Sequence, residues 1–187
     1  AGAGTTQLTY SQLLNVRDVP GMAIQEALPA NVAGVSRLVY GCAQTTTVSG
    51  AGTVSVPCSF EVGVTRRTQL WLETQTDFQV GRGVAGGATR SQGTLLIASG
   101  GYGGLFASPA WLASLSVGQV IDTDPVTGVQ ASVGQADGSY VGILEQSNAE
   151  TKQYYYDRSS GWLVRFIQSQ SMGLGSTTVQ YDLSSVQ

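Results

Sequence analysis

Five strand-like runs in the last third of the sequence constrain the fold more than any other feature. They are GVQASV, SYVGILEQS, TKQYYYD, WLVRFIQSQS and STTVQYDLSSV, within residues 128–186. The segments between them, Asp137-Gly138, Asn148-Ala149-Glu150, Arg158-Ser159-Ser160-Gly161 and Gly173-Leu174-Gly175, carry residue types that turn a chain. β-Branched and aromatic runs that recur about every 11 residues between such turns predict an antiparallel meander. Leu163, Phe166 and Ile167 break the alternation, which predicts a bulge near Arg165.

A second hairpin is legible earlier. GCAQTTTVSGAGTVSVPC, residues 41–58, holds both cysteines of the chain. Val54 and Val56 alternate with Thr53 and Ser55, and Thr45-Thr46-Thr47-Val48 is β-branched throughout, so both arms favour extended backbone. Ser49-Gly50-Ala51-Gly52 offers two glycines for a turn that needs positive φ. Cross-strand partners in a hairpin have numbers of constant sum. Pairing Cys42 with Cys58 centres the turn on Gly50, as a three-residue hairpin loop requires. The two thiols then face each other at about 4.5 Å between Cα atoms, if the pair is a non-hydrogen-bonded one. A Cys42–Cys58 disulfide is expected, and with it an oxidising compartment.

The rest of the chain continues the pattern. TTQLTYSQLLNV, residues 5–16, puts Leu8, Tyr10, Leu14 and Val16 on one parity and reads as a strand. A turn at Arg17-Asp18-Val19-Pro20-Gly21 follows. MAIQEAL, residues 22–28, suits a helical turn or a strand and ends at Pro29-Ala30-Asn31. Residues 35–40 read as a strand entering the cysteine hairpin. Phe60, Val62 and Val64 alternate beyond it, and Arg66-Arg67 reads as a turn into TQLWLETQTDFQV. There Leu70 and Leu72 share a face opposite Trp71, which reads as a packing residue. GRGVAGGATRSQG, residues 81–93, reads as a glycine-rich connection. It has no Walker lysine, so a phosphate cradle is not expected. TLLIA, residues 94–98, follows as an apolar strand. SPAWLASL, residues 108–115, is the one clear helix: Ser108 can cap it, Pro109 suits its first position, and Trp111, Leu112 and Leu115 form an apolar stripe. The expected fold is all-β, an antiparallel β-sandwich or barrel of about ten strands with a C-terminal meander and one short helix. Residues 1–18 read as an N-terminal strand or extension, and residues 19–187 as a single β domain.

Composition narrows the function by exclusion. Charged residues make up 11% of the 187-residue chain, against the usual quarter, and Lys152 is the only lysine. A net charge of −3 offers no basic stripe for nucleic acid. No apolar run is long enough for a membrane-spanning helix. The opening Ala1-Gly2-Ala3-Gly4 suits a mature end left by signal-peptide cleavage, so the chain is expected outside the cell or at its surface. The absence of histidine removes Ser-His-Asp and Cys-His arrangements, and no serine motif accompanies Lys152, so an enzyme is not expected.

Two smaller motifs remain. In DTDPVTG, residues 122–128, Asp122 and Asp124 at alternate positions could give oxygen ligands to Ca²⁺, but Val126 stands where a further ligand would be needed. The ordinary reading is a polar turn rigidified by Pro125 and closed by Gly128. No other cofactor is implied. Tyr154-Tyr155-Tyr156 puts the middle ring on one face and its neighbours on the other, as in an amphipathic strand. YYYDRSSGWLVRF, residues 154–166, resembles the YD-x-x-(S/T)-G-x-L strand–turn–strand units of several secreted β-proteins, among them bacterial lipoprotein-carrier sheets. The resemblance implies an acidic residue opening a turn and a glycine closing it, and brings no function with it.

Two functions fit these features. The first is a non-enzymatic structural subunit of an extracellular assembly, a pilus-like filament or surface layer. It would be a homo-oligomer or polymer whose Leu8, Tyr10, Leu14 and Val16 strand pairs in its own sheet or completes a neighbour's edge. The alternative is a secreted or periplasmic binding module for an apolar ligand, with Trp111, Leu112 and Leu115 as its lid.

Overall fold

The computed structural model describes residues 28–68, 71–80, 89–96 and 102–187. Among the described residues, ten strands form one antiparallel sheet: β1 (Arg37–Val48), β2 (Gly52–Arg67), β3 (Trp71–Val80), β4 (Thr89–Leu96), β5 (Val120–Thr123), β6 (Gln130–Ala136), β7 (Tyr140–Gln146), β8 (Glu150–Asp157), β9 (Leu163–Met172) and β10 (Gly175–Val186). Their spatial order is β4-β3-β2-β1-β10-β9-β8-β7-β6-β5. Two meanders, β1 to β4 and β5 to β10, therefore run outward from a central β1–β10 seam. The sheet does not close on itself, so the architecture is an open half-barrel.

All five C-terminal runs form strands, and the bulge lies where the broken alternation puts it. Tyr155 pairs with Arg165 and Tyr156 with Leu163, which leaves Val164 as the extra residue. The cysteine hairpin has the expected register from Arg37–Gly63 to Val48–Gly52, with Cys42 opposite Cys58. Its turn has Gly50 at φ 81° and Gly52 at φ 96°, and the Ala51 N–H donates to the Val48 carbonyl at 3.0 Å.

One face of the sheet is apolar and the other polar. On the inner face, Leu38, Tyr40, Val62, Leu72, Val133, Val141, Ile143 and Tyr156 are buried. Two helices cover its closed end: α1 (Ala30–Ala33) and α2 (Pro109–Ser114). Val32 of α1 packs in a cluster with Leu38, Tyr40, Val62, Leu72, Phe106 and Trp162. Trp111 and Leu112 of α2, with Leu115, pack against Val133, Val141, Ile143, Tyr154 and Tyr156. Leu105 touches both clusters. The outer face is laced by hydroxyl pairs, Thr45–Ser55 at 3.1 Å, Thr47–Thr53 at 3.0 Å and Ser169–Thr178 at 2.9 Å, and by the ion pairs Arg37–Glu61 and Arg165–Asp182. Cross-strand pairs of this kind let the uncovered face remain in water.

Several sequence expectations need correction. Arg66 and Arg67 are not a turn: β2 runs through both, because pairing with Glu73 and Leu72 of β3 extends the ladder. β4 begins at Thr89, inside the segment read as a glycine-rich connection, since Thr89 to Gly93 pair with Phe78 to Thr74 of β3. Pro29 stands at the N-cap of α1, so Ala30 and Asn31, expected to close an element, open a short helix instead; residues 22–27 lie outside the described residues. Ser108 occupies the N-cap of α2 with extended backbone, yet its hydroxyl makes no capping hydrogen bond.

Candidate functional site

The inner face carries side chains of one parity in successive rows. The row at the closed end is sealed by the helices. In the next, aromatic rings follow one another across the seam. The ring of Tyr40 lies 5.7 Å from that of Phe60, Phe60 5.6 Å from Tyr181, Tyr181 6.0 Å from Phe166, Phe166 5.0 Å from Tyr154, and Tyr154 5.7 Å from Tyr102. The row crosses β2, β1, β10, β9 and β8 and ends under the segment that enters α2. Tyr40 and Tyr154 at its flanks are buried, while Phe60, Phe166 and Tyr181 between them are half-buried. Burial pushes the Tyr181 phenol upward, and it pushes Tyr40 and Tyr154 further in the same direction. All three stay neutral at physiological pH, so the row is an uncharged aromatic surface.

Residues 102–108 strap this face and set one border of the site. The Tyr156 hydroxyl donates to the Gly104 carbonyl and accepts from the Gly103 N–H, both at 2.9 Å. The Tyr102 hydroxyl donates to Glu145 Oε1 at 2.8 Å. Burial, and then that carboxylate, keep Tyr102 protonated. Further along, Phe106 and Trp162 form a bridge and meet edge-on at 5.4 Å, and the Leu163 N–H donates to the Leu105 carbonyl at 2.9 Å. The turn that presents Trp162 is the one singled out in YYYDRSSGWLVRF. Asp157 Oδ1 accepts from the N–H and hydroxyl groups of Ser159 and Ser160, at 2.7 to 3.1 Å. Partial burial raises the Asp157 carboxyl, but these four donors outweigh it and hold it below its ordinary value.

Next to the aromatic row, the same face turns polar. Phe166 and Tyr154 are opposite each other, as are Gln168 and Lys152, then Gln170 and Glu150. Glu150 accepts from Gln170 at 2.8 Å and from Gln168, and pairs with Lys152 at 3.0 Å. These donors, Gln170 first, lower its carboxyl to about 2. An open cleft of about 310 Å³ lies here, lined by Asp124, Thr127, Glu145, Ser147, Glu150 and Lys152 among others. The inner face thus runs from a sealed apolar end, through an accessible aromatic row, to a polar border.

The residues singled out in the sequence fall in different places. Cys42 and Cys58 form the disulfide, with Cα atoms 4.8 Å apart. Trp111, Leu112 and Leu115 pack onto the sheet at the closed end, in a cluster that Phe166 of the row also borders. Asp122 and Asp124 accept from different donors. Asp124 Oδ1 accepts from the N–H groups of Val126 and Thr127 at 2.8 and 3.2 Å, as in a polar turn, and Gly128 closes it at φ 71°. Asp122 instead accepts from the Thr123 N–H and from Tyr102. Among the described residues no group of three or more acidic, histidine or cysteine side chains could hold a metal ion. Leu8, Tyr10, Leu14 and Val16 lie outside the described residues, as do Leu70 and the side chain of Trp71. Phe60, Phe166, Tyr181 and Tyr102 were not singled out. The strand parity of Phe60 with Val62 was visible, but the rings that complete its row come from strands remote in sequence.

No protein-family model matches the chain, and no curated protein matches it. Two solved structures are similar to it at a distance. An outer membrane lipoprotein-sorting protein domain from Vibrio parahaemolyticus shares 10% identity over 84% of this chain and 87% of its own, with a TM-score of 0.26. A DUF1329 family protein from Desulfovibrio piger shares 9% identity over 82% and 86%, with a TM-score of 0.25.

Proposed function

We propose that the chain is an exported, non-enzymatic binding module that holds an apolar ligand, such as an acyl chain, along the aromatic row of its inner face. The observation that carries this reading is the row itself. Phe60, Tyr181 and Phe166 come from three different strands and remain half-buried beside two sealed clusters. A sheet that needed these rings only for its core would cover them as it covers Tyr40 and Tyr156. Mostly apolar concave surfaces with a few polar groups at one end are the common form of small-molecule sites. Here the polar end is the Gln168–Glu150–Lys152 border. The disulfide fits an oxidising compartment.

A specific feature favours a second reading, the structural subunit. The sheet is open, with β4 and β5 at its two edges, and an open edge can accept a strand from another copy.

Titration with a fluorescent fatty acid, beside light scattering, separates the two. The binding module is expected to be a monomer that takes up the probe. Phe166→Ser is expected to weaken uptake on the order of tenfold, the cost of losing one buried aromatic contact surface, with an unchanged circular dichroism spectrum. A wild-type protein that ignores the probe but assembles would sink the ligand reading and favour the subunit.

A further inference from the structure

The end of the sheet opposite the helices carries a feature that the ligand site does not use. The β1–β2 and β9–β10 hairpins lie side by side there. Val48 pairs with Gly175, and the Ser49 N–H donates to the Leu174 carbonyl at 2.8 Å. Gly175 makes this contact possible: a Cβ at that position would lie 2.4 Å from the Thr47 carbonyl oxygen. The joined tips expose large apolar side chains, Leu174 at 79%, Val54 at 65%, Met172 at 56% and Val48 at 43%.

Charge is missing from the tip halves of both hairpins. No Asp, Glu, Lys or Arg occurs between Arg37 and Glu61, or between Arg165 and Asp182. In the sheet these segments are neighbours, because the order is β2-β1-β10-β9. The polar side chains they do carry are largely hydroxyls that pair with one another, as in Thr47–Thr53, Thr46–Thr177 and Ser169–Thr178. On the adjoining strand, Glu150 and Lys152 neutralise each other.

We infer that the paired hairpin tips dock onto a lipid bilayer, inserting Leu174, Met172, Val54 and Val48 at the interface of uncharged phospholipid headgroups and acyl chains. The missing charge favours this occupant. Carrying an ionised group into the apolar boundary is costly, and the tip halves of these two hairpins carry none. A protein partner fits less well. Stable protein interfaces engage about 20–30 residues a side and anchor on Trp, Tyr and Arg. Between Gly41 and Ser59, and between Ile167 and Gln180, there is no aromatic residue and no arginine. The Cys42–Cys58 disulfide ties the two arms of one hairpin, so little conformational freedom is lost on docking. With so few inserted side chains the attachment is weak and reversible. This inference does not depend on the ligand reading, because it concerns other residues.

The test is flotation of the full chain with phosphatidylcholine vesicles, together with the doubly substituted variant Met172→Ser/Leu174→Ser. Wild type is expected to float with neutral vesicles, equally at about 0.1 M and about 1 M salt, since no charge pairing is involved. The variant is expected to lose bound fraction on the order of tenfold at unchanged thermal stability. Leu174→Trp gives an independent readout: its emission should shift to the blue when vesicles are added. Failure of wild type to float overturns the inference. So does flotation that needs anionic lipid and disappears with salt, or a variant that floats as wild type does. Concentration-dependent dimers that the same substitutions abolish would assign the tips to a second copy instead.

Discussion

Gly161 shows how a single residue can be fixed by two demands at once. It sits at φ 80°, and a Cβ there would come within 2.2 Å of the Ala107 carbonyl oxygen and 2.8 Å of the Phe106 ring. The Gly161 carbonyl accepts from the Ala107 N–H at 2.8 Å, so the strap lies directly on the turn. Gly50 makes a useful contrast, with φ 81° but nothing within 4 Å of its missing Cβ. The left-handed backbone alone costs a non-glycine residue about 1–2 kcal/mol. Gly50→Ala is therefore expected to lose about that much in urea denaturation, and Gly161→Ala about 3 kcal/mol or more, because backbone must also shift. Equal losses would show that the strap does not press on the turn. The turn itself was legible, since Asp157 and Gly161 carry its chemistry locally. Its contact with Ala107 was not, because local residue type does not encode a partner that far along the chain.

Elements whose information is local were readable in full. The β1–β2 hairpin is the clearest case: the alternating valines, the two glycines and the symmetric cysteines all specify one register, and that register forms. Helix α2 was readable from Pro109 and the Trp111–Leu112–Leu115 spacing, though not the idle Ser108 hydroxyl. Where an element owes its form to a neighbour, the sequence misled. The start of β4 is Thr-Arg-Ser-Gln-Gly, poor in strand formers, and is held extended by its ladder with β3. The hairpin also carries a prediction. In the chain-entropy model, a disulfide closing a loop of this length stabilises by about 3 kcal/mol. Substituting both Cys42 and Cys58 with Ala is expected to lower the unfolding free energy by about that amount. The oxidised wild type with and without reductant should give the same difference. A loss under about 1 kcal/mol would mean that the paired strands already hold the hairpin closed in the denatured ensemble.

At the scale of the molecule, the all-β class was legible and the order of the strands was not. Periodicity says that a segment is extended and which parity is apolar, but not which strand lies beside it. The central seam joins Leu38 to Val186, and the aromatic row that forms the candidate site exists only because of that pairing. Each strand revealed one ring, and no strand revealed the row. The seam also makes a demand on folding. The sheet has two buried clusters: one on β1, β2 and β3 that also takes in Phe106 and Trp162 from the β5–β10 half of the chain, and one within that half around Trp111. They are joined by the full β1–β10 ladder from Leu38–Val186 to Val48–Gly175, by Leu105, and by the buried Tyr40 hydroxyl donating to the Leu163 carbonyl at 2.9 Å. A connection of that extent should make unfolding a single cooperative event. Variants that keep only Trp111 or only Trp162 are expected to give coincident denaturation curves, matching that from circular dichroism. Tyr40→Phe should lower both midpoints together, with a loss of about 1–2 kcal/mol in unfolding free energy, because it leaves the Leu163 carbonyl buried without its donor. Two separated transitions would show instead that the meanders are independent units. The aromatic row would then form only after they meet, and ligand uptake would be lost at the first transition, before most of the sheet has melted.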